Sequence, residues 1–249
     1  MDTTKLIGLI PAAGKGVRLG LPYPKELYPI IRNNRYKPVA QFVLENLTAA
    51  GVEHVVFVIN ETKHQLLGYF GDGSRFGCHI SYVVQENRED PSRSTSPGLA
   101  HALHAAYPLI QGQTVLFGMA DTIMEPKIVF SEILHVAQPD DDVLLGLYRT
   151  QRPEKFGMVQ FDARQQVQKI VDKPSQTKLE YMWGCIVWGP RFTEHLHDSL
   201  LAGNSDFAQV MNTAIANGQQ FRAVCLEGSY ADLGTYEEVS ALEQQFRAL

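Results

Sequence analysis

The chain has 249 residues, of which 45% are hydrophobic and 20% are charged, and its formal net charge is −5. This composition is ordinary for a globular α/β protein, and the chain lacks the basic run that binding to polymeric nucleic acid requires. No apolar segment approaches the roughly 20 residues that cross a bilayer. The first residues also lack the features of a signal peptide, so we expect a cytoplasmic protein without nucleic-acid or membrane partners.

The first predicted element is a short buried strand followed by a glycine-rich loop. Residues 6–10 are apolar, and small residues follow them over positions 11–20. This loop and the segment 24–27 contain three glycines and three cations, which are Gly14, Gly16, Gly20, Lys15, Arg18 and Lys25. Glycines let backbone N–H groups approach phosphate oxygens, and the cations neutralise phosphate charge. The spacing matches neither the P-loop nor the dinucleotide fingerprint, because Leu19 stands where the latter has its third glycine.

Apolar strands alternate with amphipathic helices after this loop. In chain order the pattern predicts a helix at 37–50, a strand at 52–59, a helix at 62–70, a strand at 79–84, a helix at 97–109 and a strand at 114–117. Strands that are apolar throughout and separated by helices indicate a parallel sheet covered on both faces. Ligands of such sheets bind beyond the carboxyl ends of the strands, where we expect both the glycine loop and Asp121.

The second half of the chain has a more mixed pattern. It predicts a helix at 126–137, a strand at 142–150, a hairpin of 155–162 and 167–171, a strand at 181–188, helices at 190–201 and 207–217, a strand at 221–226 and a helix at 235–247. The hairpin indicates that some strands join the sheet in antiparallel orientation. Because neither a linker nor a repeat is evident, we expect one domain over 1–249. It would comprise a nucleotide-binding half of about 1–140 and an acceptor-binding half of about 141–249.

Seven short motifs are distributed over almost the whole chain. They are PAAGKGVRL at 11–19 with PKEL at 24–27, KPV at 37–39, GDGSRFG at 71–77, PGLAHA at 97–102, PEKFGMV at 153–159, DKP at 172–174 and ADLGT at 231–235. In this order they resemble the sugar-1-phosphate nucleotidyltransferases, most closely the glucose-1-phosphate thymidylyltransferase and UTP–glucose-1-phosphate uridylyltransferase types. The resemblance implies a Rossmann-like three-layer α/β/α nucleotide-diphospho-sugar transferase fold with a mainly parallel mixed sheet.

The same resemblance implies an Mg²⁺-dependent enzyme. It would transfer NMP from an NTP to a sugar-1-phosphate or a related phosphorylated acceptor, releasing pyrophosphate and forming an NDP-sugar. Both reactants are polyanions, so catalysis requires positioning and charge neutralisation without a covalent protein intermediate.

The resemblance also implies roles for individual residues. Arg18 and Lys25 would hold the triphosphate and its leaving group, and Lys173 would hold the phosphate of the acceptor. The implied nucleotide-binding residues are Ala12, Ala13, Gly14, Lys15, Gly16, Gln85, Pro97 and Gly98. The implied acceptor-binding residues are Gly157, Asp172, Lys173, Trp183 and Gly184. Asp121 and Asp232 would be the Mg²⁺ ligands, since hard cations prefer carboxylate oxygens.

The sequence departs from the family pattern at four places. Ala120 precedes Asp121 where glycine is usual, and more residues separate Gln85 from Gly98 than in the thymidylyltransferase type. Trp183 replaces a small or amide residue, and Gln209 replaces an acid. Most of these changes lie on the base and acceptor sides, so we expect an acceptor other than plain glucose-1-phosphate.

Two other functions remain open at this stage. One is a methylerythritol-phosphate-type cytidylyltransferase, whose opening motif is similar to residues 11–25 but whose later motifs do not occur here. The other is a non-catalytic nucleotide-sugar-binding regulatory protein. The base, the acceptor and the oligomeric state are also open, and a homo-oligomer is compatible with the sequence.

Overall fold

The computed structural model describes residues 1–2, 5–16, 19–32, 35–86 and 98–247 of the chain. Arg18 and Pro97, two of the predicted site residues, lie outside these ranges. The strands of the described part are β1 Leu6–Pro11, β2 Pro29–Arg32, β3 Arg35–Pro38, β4 His54–Ile59, β5 His79–Val84, β6 Thr114–Gly118, β7 Thr122–Glu125, β8 Val143–Arg149, β9 Gly157–Phe161, β10 Val167–Asp172, β11 Tyr181–Trp188, β12 Phe221–Cys225 and β13 Ser229–Asp232. Its α-helices are α1 Val39–Ala49, α2 His64–Phe70, α3 Leu99–Ala105, α4 Tyr107–Ile110, α5 Val129–His135, α6 Pro190–Leu201, α7 Phe207–Ala216 and α8 Tyr236–Arg247.

A nine-stranded mixed sheet occupies the centre of the fold. Strands β5, β4, β1 and β6 lie side by side in that order and run parallel. Strand β11 pairs antiparallel with β6 and with β8, and β12 pairs parallel with β8. The β9–β10 hairpin joins β11 through Met158 and Met182. The predicted mainly parallel mixed sheet is therefore confirmed.

Helices cover both faces of this sheet. Successive residues of β1 point to opposite faces, so Leu9 belongs to one apolar cluster and Ile10 to the other. The first cluster includes buried side chains of α3, α6 and α7, and the second includes those of α1, α2 and α5. These contacts confirm the predicted three-layer α/β/α arrangement.

A third, smaller apolar cluster lies beneath α8. It joins Leu19 after the glycine loop, Ile30 of β2, Phe42 of α1 and Leu233, which follows β13. Two antiparallel pairs of short strands, β2 with β3 and β7 with β13, surround this cluster. Neither pair is predicted from the sequence, because segments of four residues are too short to show a period.

One predicted helix is divided in the structure. The helix expected over 97–109 consists of α3 and α4, which meet at Ala106. Pro108 lies in the first turn of α4, where its missing N–H is tolerated, but in a continuous helix its ring would clash with the preceding turn.

Among the described residues, no helix combines the length and apolar character that a membrane span requires.

Candidate functional site

A cavity of about 610 Å³ lies between the two halves of the sequence. The first half contributes Gly98, before α3, and Asp121, after β6. The second half contributes Lys173, Trp183 and Asp232, and the cavity wall also includes Gly157 and Asp172. The fold thus brings seven of the predicted site residues to one cavity.

The pairing of β7 with β13 brings the two predicted metal ligands to neighbouring strand ends. Thr122 pairs with Asp232, and the Leu233 backbone N–H donates a 2.9 Å hydrogen bond to the Asp121 carbonyl. Lys25 Nζ donates to Asp121 Oδ2, and both side chains are largely buried. Burial lowers the pKa of Lys25, but Asp121, Glu26 and Asp232 raise it, and the net pKa is raised. Lys25 is therefore a charged ammonium group beside two carboxylates.

This donor set fits a magnesium ion. Mg²⁺ commonly takes one or two protein carboxylates and completes its coordination with water and phosphate oxygens. In the part of the chain that the structure describes, no three His, Cys, Asp or Glu side chains are grouped so that they could hold a metal ion. Asp121 and Asp232 would thus hold such an ion together with oxygens from a ligand or water.

The described part of the glycine loop is fixed to the neighbouring strand β4. The Ala12 N–H donates to the Val58 carbonyl at 2.7 Å, and Asn60 Nδ2 donates to the Ala13 carbonyl at 2.9 Å. Gly16 has a positive φ of 64°, a conformation that favours glycine. A Cβ atom at Gly14 would contact nothing within 4 Å, so the backbone is open on that side. This geometry leaves room for a ligand against the loop.

A second, smaller cavity of about 230 Å³ adjoins the glycine loop. Three lysines line it, Lys15, Lys25 and Lys63. Lys63 follows β4 and was not identified from the sequence. Lys63 is buried and pairs with Glu26, so Lys15 and Lys25 are the cations that make this side of the site suited to a polyanion.

Lys173 occupies an unusual backbone conformation on the opposite wall. Its φ is +43°, a left-handed value that is uncommon for a residue with a side chain. The Lys173 N–H donates to the Phe156 carbonyl at 3.0 Å, and Lys173 Nζ lies 2.9 Å from Asp172 Oδ2. Both side chains are exposed to the solvent, so the ammonium group is accessible to a ligand.

Trp183 packs directly over the backbone of Gly157. A Cβ atom at position 157 would lie 2.2 Å from Trp183 Nε1, so only glycine fits beneath the indole. The rings of Phe117 and Phe207 lie 6.2 and 6.0 Å from the indole. Gly184 is placed differently, because its missing side chain makes room for Tyr148 and Tyr230 and it does not line the cavity.

Gln85 also lies away from the main cavity. Its backbone N–H donates to the Ile59 carbonyl at 2.8 Å, which extends the pairing of β5 with β4. The side chain is buried and does not line the cavity. The role of Gln85 at the base remains a prediction.

Glu238 is a cavity residue to which the sequence analysis gave no functional role. Its carboxylate accepts hydrogen bonds from the backbone N–H groups of Gly234 and Thr235 at 2.8 and 3.0 Å. It also pairs with Arg152 at 2.7 Å and with Lys155. Glu238 therefore joins the loop after Asp232 to the turn before β9. The Thr-x-x-Glu spacing of a helix capping box was the available signal.

Comparisons with known proteins agree with this architecture. A family model described as nucleotidyl transferase matches residues 7–247. The low-salt glycan biosynthesis nucleotidyltransferase Agl11 of Haloferax volcanii is 24% identical over 95% of this chain. A glucose-1-phosphate thymidylyltransferase of Streptomyces griseus is 25% identical over 93% of it. The chain spans 65% and 63% of the length of these two relatives.

A solved structure of a UDP-glucose pyrophosphorylase complexed with UDP-glucose superposes with a TM-score of 0.80. The alignment covers 98% of this chain and 99% of the other, at 21% sequence identity. At this identity the similarity concerns the fold, which is that of nucleotide-diphospho-sugar transferases.

Proposed function

Since the chain belongs to the nucleotidyl transferase family, we propose that it transfers a nucleoside monophosphate from an NTP to a sugar-1-phosphate or a related phosphorylated acceptor. An oxygen of the acceptor phosphate attacks the α-phosphorus, the bond to the β-phosphate breaks, and pyrophosphate leaves. The product is an NDP-sugar or a close analogue. The relatives named as thymidylyltransferases act on glucose-1-phosphate by their names, which supports this class of acceptor.

The observation that carries the proposal is the position of two ammonium groups relative to the 610 Å³ cavity. Lys173 lines this cavity, and Lys25, which lines the smaller cavity, donates to Asp121 of the larger one. Two polyanions that react must be brought together against their mutual repulsion. A pair of separated ammonium groups supports binding of an NTP on one side and an acceptor phosphate on the other. On this proposal residues of about 1–140 bind the nucleotide and those of about 141–249 bind the acceptor.

Each residue has a distinct task in this mechanism. Lys25, with Arg18, binds the triphosphate and stabilises the charge that develops on the departing pyrophosphate. Lys173 orients the acceptor phosphate for in-line attack. Asp121 and Asp232 would hold Mg²⁺, which when bound neutralises phosphate charge and polarises the reacting phosphorus.

We further propose that the acceptor differs from plain glucose-1-phosphate. The indole of Trp183 occupies space above Gly157 that a smaller side chain would leave to the acceptor. Phe207 and Met211 add apolar surface to the same wall. This wall supports an acceptor with an apolar face or with less bulk than a hexose.

The proposal is tested with a panel of NTPs and phosphorylated acceptors, with pyrophosphate release as the readout. We expect Mg²⁺-dependent release with at least one pair and its loss in Asp121→Asn. Asp140→Asn removes an exposed carboxylate outside the cavity and serves as the matched control. Absence of release with every pair would overturn the transfer activity and favour the regulatory alternative. Efficient turnover of glucose-1-phosphate would overturn the altered acceptor alone.

A further inference from the structure

An almost completely buried ion pair lies next to the proposed triphosphate site. Lys63 Nζ is 2.5 Å from Glu26 Oε1, and the two side chains are only 4% and 3% exposed. Burial removes the hydration of both charges, and a buried pair is therefore weak evidence of stabilisation. Glu26 Oε2 is also buried and has no hydrogen-bond partner among the described residues. This unsatisfied oxygen is a further energetic cost of burying the pair. A contribution to stability therefore does not explain why Glu26 and Lys63 occupy these buried positions.

Glu26 shares one tight turn with Lys25. The Leu27 N–H donates to the Pro24 carbonyl, and the Tyr28 N–H donates to the Lys25 carbonyl, each at 2.9 Å. These bonds close the 3₁₀ turn Lys25–Leu27. A contact that fixes the side chain of Glu26 therefore also fixes the backbone from which the Lys25 side chain extends.

The partner of Glu26 belongs to a segment that also holds the glycine loop. We call residues 60–63 the bracket. Asn60, at 2% exposure, donates to the Ala13 carbonyl at 2.9 Å and accepts from the Thr62 N–H at 2.9 Å. The Lys63 N–H donates to the Asn60 carbonyl at 3.1 Å, which closes the bracket on itself. The bracket thus contacts the glycine loop at one end and the Lys25 turn at the other.

The charges along this path alternate in sign. Lys63 pairs with Glu26, which neighbours Lys25, and Lys25 pairs with Asp121. Burial raises the pKa of Glu26 and Lys63 lowers it, with a net rise. Glu26 therefore lies between two ammonium groups, one of which it binds directly and one of which extends from the neighbouring residue.

We propose that Glu26 and Lys63 are positioning residues. They fix the position of the Lys25 ammonium group relative to the glycine loop, so that both contact the triphosphate of the bound NTP. The hydrogen bond from Asn60 to Ala13 completes this arrangement. The inference rests on the proposed transfer function, and it assigns a role to residues that do not themselves touch the substrate.

The test is the double variant Glu26→Met with Lys63→Met. Replacing both members of a buried pair by apolar residues of similar size is often neutral or stabilising, so we expect a folded protein with a Tm near that of the wild type. We expect kcat/KM for the NTP to fall by about tenfold to 100-fold, because small displacements of catalytic groups have effects of that size. The KM for the acceptor should stay within about twofold, since Lys173 and its wall are unchanged.

The matched control removes an ion pair elsewhere. Lys37 Nζ lies 2.7 Å from Glu45 Oε2 outside both cavities, so Lys37→Met with Glu45→Met should leave the kinetics unchanged. A folded Glu26/Lys63 double variant with wild-type kcat/KM for the NTP would show that the pair is merely structural and overturn the inference. The inference would also be overturned if the KM for the acceptor rose by as large a factor as kcat/KM for the NTP fell.

Asn60→Ala provides a second test if the double variant does not fold. It leaves the ion pair intact, and we expect the same selective loss for the NTP, of about tenfold. Failure of the proposed function is recognised separately, by a wild type that releases no pyrophosphate. In that event Mg²⁺–UTP should still raise the Tm of the wild type more than that of the variants, and equal shifts would overturn the positioning role.

Discussion

Because Trp183 packs closely over Gly157, we expect Gly157→Ala to lower stability and to weaken acceptor binding. In Gly157→Ala the new Cβ would lie 2.2 Å from Trp183 Nε1 and 3.0 Å from Cδ1. The backbone of Gly157 pairs with Asp172 in the β9–β10 ladder, so it cannot move away freely. The indole must therefore move, and the rings of Phe117 and Phe207 limit where it can go.

The expected cost follows from two opposing terms. Overpacking a well-filled site destabilises the folded protein by about 1–3 kcal/mol. Replacing glycine by alanine also lowers the conformational entropy of the unfolded chain, which stabilises the folded protein by about 0.4–1 kcal/mol. Gly157 does not have a positive φ, so alanine adds no backbone strain. We expect a net loss of about 1–2 kcal/mol, which in a chain of this size lowers the Tm by about 2–8 °C. A displaced indole also enters the cavity, so the KM for the acceptor should rise.

A double-mutant cycle with thermal unfolding and steady-state kinetics checks this reasoning. In a Trp183→Ala background, Gly157→Ala should cost nothing, because the clash is gone. Gly68→Ala is the control, since a Cβ there meets nothing within 4 Å and an alanine favours the helix α2. Gly157→Ala with a wild-type Tm and a wild-type acceptor KM would refute the argument that the indole limits the acceptor side.

Three further predictions concern fluorescence and pH. The chain has two tryptophans and Trp188 is fully buried, so a sugar-1-phosphate should change the fluorescence of the wild type but not of Trp183→Phe; an equal change in both would place the acceptor elsewhere. Burial raises the pKa of Glu45, but hydrogen bonds from two lysines and a glutamine outweigh it and lower the pKa below 4.5. The stability that Glu45 contributes is then complete above pH 4.5 and lost as the pH falls through its folded pKa. In Glu45→Gln the free energy of unfolding, measured in urea, should therefore decrease less as the pH falls below 4.5. An unchanged decrease would contradict the assignment to Glu45. Burial, followed by the electrostatic interaction with His197, lowers the pKa of His104 below 6.5. The unfolded chain therefore binds this proton at a higher pH than the folded protein, and stability falls as the pH drops below 6.5. His104→Gln should reduce this dependence of stability on pH, and an equal dependence in both proteins would assign it to another group.

The central sheet could be predicted because its signals are local. Runs such as residues 54–59 are apolar throughout, and helices with a clear period separate them. The same holds for the glycine loop and for Asp121, which lies shortly after the strand predicted at 114–117. Short-range patterns of this kind determine the layers of the fold and the edge at which the site forms.

Other features depend on contacts between distant segments. Glu26 and Lys63 are 37 residues apart, and neither residue type is expected in a buried position, so no pattern indicated their ion pair. The four-residue strands β7 and β13 become strands only through pairing with each other. Gly157 and Trp183 were both identified as candidates, yet only the three-dimensional packing shows that one requires the other. Glu238 differs, since its Thr-x-x-Glu signal is local and can be found in the sequence.

The pairing of β7 with β13 has a consequence for the order in which the protein becomes competent during synthesis. The glycine loop leaves the ribosome before Asp121, and Asp232 follows Asp121 only after β7 to β12 have been made. The strands of the first half can begin to pack on the growing chain. The pair of carboxylates cannot, because one of its two members is not yet translated. A nascent chain that stops before residue 229 would therefore carry the glycine loop without the carboxylate pair. On the proposed function, such a chain could bind a nucleotide before it could transfer one.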